Sequence, residues 1–402
     1  MSSRAHEITA PVPRTYDRVL LFIMLMLLAF GALMIYSSTS VVTPLNAKKN
    51  ITEFYYFKRH VLTVILGSAA MLFTYLLSPS TLKRLSVPLL VFSFILLGLV
   101  FVPHIGVTAG GARRWIRLWP TTFQPSELVK LAMVIFLAKY LSLPGYRTES
   151  FASFVKPLLV MASFQLVFLK QPDFGSTMSL AFLTFAMIFI SGMRLRYIAS
   201  VMVLALPVVY KLVMEPYRLR RVTSFLDPWK DPLGSGFQLV QSFISLGSGG
   251  ITGLGLGESK QKLSFLPASH TDFIFCLVGE ELGLIGASVL IALFVFLFAR
   301  GISIASRAQD KFVGYLAYGL TLMISLQALI NFAVVTGLVP TKGLPLPFMS
   351  YGGSALLVNM AAIGILLKIS KGDYERAAEE DASVKARRIA RRNIYSRKGY
   401  GR

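Results

Sequence analysis

The sequence predicts an all-α polytopic membrane protein with about ten transmembrane helices, and three observations carry that prediction. Hydrophobic residues make up 54% of the 402 residues and charged residues only 15%. With a mean hydropathy of +0.64, the chain is far more apolar than a soluble domain. Apolar windows long enough to cross about 30 Å of hydrocarbon at about 1.5 Å per residue recur along it. The alternating stretches of about ten residues that a transmembrane barrel needs do not recur.

In order, the expected spans lie near residues 19–37, 61–78, 86–103, 126–142, 154–170, 175–192, 195–213, 272–298, 313–336 and 350–368. The fourth and fifth are the least apolar, because they carry Glu127, Lys130 and Lys156. An even count puts both termini on one side. Short connections bearing Lys83, Arg84, Arg147, Arg194, Arg196, Arg300, Arg307 and Lys311 mark that side as cytoplasmic. The expected organisation is a cytoplasmic segment over 1–18, a helical domain over 19–370 with a large outer loop at 214–271, and a basic cytoplasmic tail over 371–402. The first span follows Arg14 and Arg18 and is longer than a signal-peptide core, so it reads as an uncleaved anchor.

The net charge is +22, much of it from the tail, where Lys385, Arg387, Arg388, Arg391, Arg392, Arg397 and Lys398 cluster. Such a juxtamembrane run is drawn to anionic membrane lipids by about 1 kcal/mol per residue, which makes lipid rather than nucleic acid its expected partner. Cys276 is the lone cysteine, so no intramolecular disulfide is possible. The four histidines stand scattered at 6, 60, 104 and 270, without the spacing of a structural zinc site. Neither Gly-x-Ser-x-Gly nor a Ser/His/Asp series on the outer side supports an acyl-enzyme.

The outer face holds basic residues that the orientation rule does not favour: Arg113, Arg114, Arg117, Arg218, Arg220, Arg221, Lys260, Lys262 and Lys342. Basic groups kept there point to an anionic ligand. The outer segments 103–124 and 215–271 are too long to be simple connectors. In the first, Arg113, Arg114 and Arg117 alternate with Trp115 and Trp119, a pattern that suits either pyrophosphate or the headgroup belt. In the second, turns at Asp227-Pro228 and Asp231-Pro232 precede Phe237, Val240, Phe243 and Ile244, whose spacing predicts a short amphipathic helix able to lie on the membrane. The glycine-rich run from Gly247 to Gln261 reads as a flexible loop or an anion cradle. It is no nucleotide P-loop, since Glu258 follows Gly257.

Candidate chemistry concentrates in acidic residues at span edges. In PASHTDFIFCLVGEELG, residues 267–283, His270, Thr271 and Asp272 abut an apolar run that then contains Glu280 and Glu281. An acidic group costs about 2.5 to 3.5 kcal/mol at a helix centre, so each must be paired, hydrated or functional. Glu127 and Lys130 are three apart and share a helix face, where they can pair. Asp173 can cap the following helix or pair with Lys130 across helices. Lys342 is the lone charge in PTKGLPLPFMSYGGSALL. No internal repeat and no matching pair of broken spans appear, which disfavours a rocking transporter.

The segments FQPSELVKLA, KQPDFGST, YRLRRVTSFLDPWKDPLGSGFQLVQSF, FLPASHTDFIF with GEELG, and PTKGLPLPFMSYGGS together resemble the SEDS family of bacterial cell-wall polymerases over most of the chain. Within it, PTKGLPLP and LDPWKDPLGSG look more like the division branch than the elongation branch. The chain departs from the family pattern at Ala268 and Ser248. The resemblance implies an inverting peptidoglycan glycosyltransferase, polymerising lipid II on the outer face of the bacterial cytoplasmic membrane at the division septum. It implies Asp272 as general base, a substrate cavity shaped by Lys130, Asp173, Glu127, His270 and Lys342, and a class B penicillin-binding transpeptidase with other division proteins as partners. The pyrophosphate leaving group would be stabilised by Arg113, Arg114, Arg218, Arg220 or Arg221, or by a divalent cation such as Mg or Mn, with no organic cofactor. Rival readings are a lipid II flippase, an elongation-type polymerase, and a noncatalytic scaffold in which Asp272 merely caps the eighth span.

Overall fold

The computed structural model describes residues 16–39, 55–109, 112–118, 121–261 and 271–372. Residues 1–15 of the expected N-terminal segment and 373–402 of the basic tail lie outside these. The described residues form helices α1 (Arg18–Thr39), α2 (Tyr55–Leu76), α3 (Pro79–Leu99), α4 (Pro125–Leu141), α5 (Phe151–Lys170), α6 (Phe174–Ile190), α7 (Leu195–Val213), α8 (Pro216–Leu226), α9 (Phe237–Ser248), α10 (Ile274–Arg307) and α11 (Lys311–Val335). Helix α12 (Gly353–Gly372) follows. All but α8 and α9 overlap an expected span. By length and composition, α1, α2, α3, α5, α10, α11 and α12 can each cross a membrane. The chain is a mostly helical, multi-pass membrane protein.

Local sequence sets the helix starts. Ser78 accepts from Thr81 N at 3.2 Å ahead of Pro79, and Asp310 accepts from Val313 N at 3.0 Å to open α11. On α1, Leu20, Met24 and Leu27 are fully buried while Phe22 and Leu25 point outward, as expected of a helix with one face on protein and one on lipid. Helix α4 is different: Val129, Met133, Val134 and Ala138 are all fully buried. It packs against α3, α6 and α11. A helix shielded from lipid by its neighbours does not need full hydropathy, which is why α4 can hold Glu127, Lys130 and Lys139 within 17 residues.

At one end of the bundle, Asp17 ties three helices together. It pairs with Arg300 of α10 at 2.7 Å, caps α1 at Leu20 N, and its own N–H donates to Ser370 of α12 at 3.0 Å. The opposite end carries the long connections. There 103–124, expected as a loop, contains a three-stranded antiparallel sheet of β1 (Gly106–Ala109), β2 (Ala112–Leu118) and β3 (Thr121–Phe123). Register pairs Val107 with Trp115 and Ile116 with Phe123. Ala112 and Ile116 turn inward while Arg113 and Arg117 face solvent. Strands this short give a weak sequence signal.

Two further features differ from expectation. Helix α9 packs on protein: Leu239, Val240, Ser242 and Ser245 are buried against α10 and α11, whereas Ile244 is exposed. Ser242 and Ser245 donate to the carbonyls of Val335 and Cys276 at 2.6 and 3.1 Å. Helix α10 breaks at Gly283, with φ 64° and ψ −163°. The glycine-rich loop fills that break. Leu254 and Gly255 donate to the freed carbonyls of Glu280 and Glu281, each at 3.0 Å. The carbonyls of Gly250 and Ile251 accept from Leu284 and Ile285 at 2.9 and 3.2 Å. These loop amides satisfy helix carbonyls rather than cradling an anion.

Candidate active site

Asp272 stands just ahead of α10, outside its span, half-buried at the end of the bundle that carries the long connections. Burial pushes its carboxyl up to about 6, and the positive charge of Arg114 on β2 offsets only part of that. A methyl group built on Gly343 would lie 2.7 Å from Asp272 Oδ2, so the carboxylate occupies the space that this glycine's missing side chain leaves.

Residues 340–352, with Pro340, Pro345 and Pro347, form an irregular segment that needs outside partners for its carbonyls. Two carboxamides on successive turns of α11 supply them. Gln327 Nε2 donates to Pro345 O at 2.8 Å, and Asn331 Nδ2 donates to Leu344 O at 2.7 Å and to Asp272 O at 2.8 Å. Gln327 Oε1 in turn accepts from Lys130 Nζ at 3.0 Å, and Lys130 pairs with Glu127 at 2.8 Å. A continuous polar chain therefore runs from α4 through α11 to the 340–352 segment, all of it buried. Gln327 and Asn331 were not among the sequence candidates. Their spacing of four residues inside an apolar span was the available signal.

Asp173 caps α6, accepting from Ser176 N at 3.2 Å and Ser176 Oγ at 2.7 Å, with Gln124 Nε2 at 3.4 Å. Of the two roles open to it, the geometry forms the cap, while Lys130 bonds to Glu127 and Gln327. Next to Asp173, the Phe174 ring lies 4.5 Å from Lys342 Nζ, a cation–π contact. Burial lowers the Lys342 ammonium to about 8. Arg114 Nη2 bonds the carbonyl of Pro172, and its Nε is buried without a protein partner among the described residues. Arg221 of α8 donates to Thr341 O at 3.2 Å.

Asp272, Arg114, Lys342, Asp173 and Arg221 are thus joined through Pro172–Phe174 and Thr341–Gly343 at one end of the bundle, with Glu127 and Lys130 one layer inward. Arg113 bonds Thr108 of its own sheet at 3.3 Å and is exposed, and Arg220 is exposed on α8. The side chain of Arg218 and the whole of His270 lie outside the described residues. Among the described residues no three His, Cys, Asp or Glu side chains converge. The described donor set forms no all-protein cage for a divalent cation.

A family model described as cell cycle protein, covering FtsW, RodA and SpoVE, matches residues 18–375. A probable peptidoglycan glycosyltransferase FtsW of Geobacter metallireducens is 45% identical over 357 residues, spanning 88% of this chain and 94% of that one. Stage V sporulation protein E of Bacillus subtilis is 42% identical over 357 residues, 88% of this chain and 97% of its own. Among solved structures, a chain from a peptidoglycan synthase complex that coordinates polymerisation and crosslinking superposes with a TM-score of 0.74 at 30% identity, covering 90% of this chain and 99% of that one. The rod shape determining protein RodA of Thermus thermophilus matches at 0.66 and 27% identity, over 89% of this chain and 98% of its own. With the family model matching most of its length, this chain belongs to the FtsW, RodA and SpoVE family of cell cycle proteins.

Proposed function

We propose that this chain is a peptidoglycan glycosyltransferase of the division branch, polymerising lipid II into β-1,4-linked glycan on the outer face of the bacterial cytoplasmic membrane at the septum. The observation that carries the reading is the convergence of Asp272 with Arg114 and Lys342 at one end of the bundle. That places one basic carboxylate among cationic donors. The name peptidoglycan glycosyltransferase FtsW borne by relatives supports the activity, and the family's description as cell cycle protein fits the division role.

The reaction has an α-linked pyrophosphate donor and a β-linked product, so a single in-line displacement inverts the anomeric carbon. The acceptor 4-hydroxyl oxygen attacks that carbon as its proton passes to the Asp272 carboxylate. The bond between the anomeric carbon and the phosphate oxygen breaks, and undecaprenyl pyrophosphate departs with the electron pair. With a carboxyl near 6, Asp272 is mostly ionised at neutral pH and still basic enough to accept a proton, an arrangement worth about 10²- to 10⁴-fold in rate. The Arg114 guanidinium and the Lys342 ammonium stabilise the charge gathering on the pyrophosphate. The polar chain from Glu127 through Gln327 keeps the Lys342-bearing segment in place.

A class B penicillin-binding transpeptidase is the proposed partner, since a structural relative comes from a complex that couples polymerisation to crosslinking. The test is lipid II polymerisation by the chain with its cognate transpeptidase, comparing wild type with Asp272→Asn. The amide keeps the size of the acid but cannot take the proton. Loss of at least about 10²-fold in rate, with folding and partner binding intact, is expected; equal polymer from both would rule out Asp272 as the base.

A further inference from the structure

Asn331 does more than fill the core. It is 1% exposed on α11, and its two Nδ2 protons are both spent, on Asp272 O at 2.8 Å and Leu344 O at 2.7 Å. Its Oδ1 is buried without a partner among the described residues. An unsatisfied buried carbonyl is costly, and a leucine of similar volume would avoid it, so the worth of this side chain lies in its two donors. Those donors join three separate pieces of backbone: α11, the residue bearing the base, and the segment bearing Lys342 and Gly343.

We propose that Asn331 is the positioning residue of the active site, fixing the backbone of Asp272 against Gly343 and so setting where the carboxylate points. The inference rests on the proposed role of Asp272 as base. Gln327, one turn earlier, holds the same segment at Pro345, but it does not touch residue 272; its oxygen is taken by Lys130. Asn331 alone of the two bridges to the base. Gly343 completes the clamp from the other side, since a methyl group there would crowd Asp272 Oδ2 at 2.7 Å. The clamp and the site are therefore one structure: release the backbone of residue 272, and the carboxylate loses both its aim and its partial exclusion from water.

That second consequence gives a signature that simple destabilisation lacks. Among the described residues, the charged groups around Asp272 are Arg114 from β2, Lys342 from the neighbouring segment, Asp173 beside the Phe174 ring that Lys342 covers, Arg221 of α8 behind Thr341, and the Lys130–Glu127 pair of α4 behind Gln327. Neither Asn331→Ala nor Gly343→Ala alters any of them. Better hydration of a loosened carboxylate lowers its pKa toward the ordinary range, so the acid limb of kcat/KM moves down from about 6.

The experiment measures lipid II polymerisation against pH and substrate concentration for wild type, Asn331→Ala, Gly343→Ala, the double variant and Asp272→Asn, each as the full chain with its transpeptidase. For Asn331→Ala we expect kcat to fall by about 30-fold or more with KM within about threefold, and the acid limb to move down by about one pH unit. Gly343→Ala, which leaves Asn331 intact, should lower kcat in the same way, and the double variant should lose much less than the product of the two. A folded Asn331→Ala with unchanged kcat and limb overturns the proposal, as does a loss of rate with the limb fixed near 6 and multiplicative losses in the double variant. Wild-type rates from Asp272→Asn would instead remove the base assignment and this inference with it.

Discussion

At the scale of single residues, pH links structure to rate. As the proposed base, Asp272 must be ionised to accept a proton, and burial holds its pKa near 6, so polymerisation should rise as pH increases through 6. In its proposed role opposing pyrophosphate charge, Lys342 must be protonated, and burial holds it near 8, so the rate should fall as pH increases through 8. A pH profile with both limbs is the expected result, and Lys342→Arg should carry the alkaline limb upward, because a guanidinium stays charged. A flat profile across this range would contradict both assignments. The charged residues that the fold gathers at this end were conspicuous in the sequence because charge near an apolar span must be accounted for. The roles of Asn331 and Gln327 were not, because a neutral carboxamide in a span reveals its purpose only when its partners, here up to 59 residues away for Asn331, are known.

At the scale of elements, the break in α10 shows how a motif can be seen and its purpose missed. The glycine-rich run at 247–261 and the acidic pair at 280–281 were both conspicuous in the sequence, yet nothing in one chain says that they bind each other. Glu280, 1% exposed, accepts from Lys260 N at 2.8 Å, Ser259 Oγ at 2.6 Å and Ser245 Oγ at 3.2 Å. Its carboxylate locks the loop onto the half of α10 that follows Asp272. Glu281 is likewise held, by Ser37 of α1 at 2.6 Å. Glu280→Gln keeps the shape but leaves one acceptor oxygen where two served, and should cost about 1.5 to 3 kcal/mol. Amide exchange at Leu254 and Gly255 should then quicken; unchanged protection there would show that the backbone bonds alone hold the break. Short strands in 106–123 and the burial of α9 also escaped the sequence reading, since both are decided by tertiary contacts.

At the scale of the whole molecule, the ordering of the helices was readable while their surroundings were not. Periodicity and hydropathy locate apolar helices, and every expected span meets a helix. What they cannot show is which helix is sheltered: α4 sits inside the bundle, and its Lys130 is partnered by Glu127 of the same helix and Gln327 of α11 instead of facing lipid. The consequence is an uneven molecule. Asp17, Arg300 and Ser370 close one end, and Asp272, Arg114, Lys342 and the long connections crowd the other. A polymerase needs its charge gathered at one face, whereas a transporter needs a headgroup route from both. The most direct test reconstitutes the full chain with its cognate transpeptidase in vesicles holding lipid II, and follows glycan formation and lipid II translocation together. Glycan polymer without translocation is the predicted result; translocation without polymer would contradict the account.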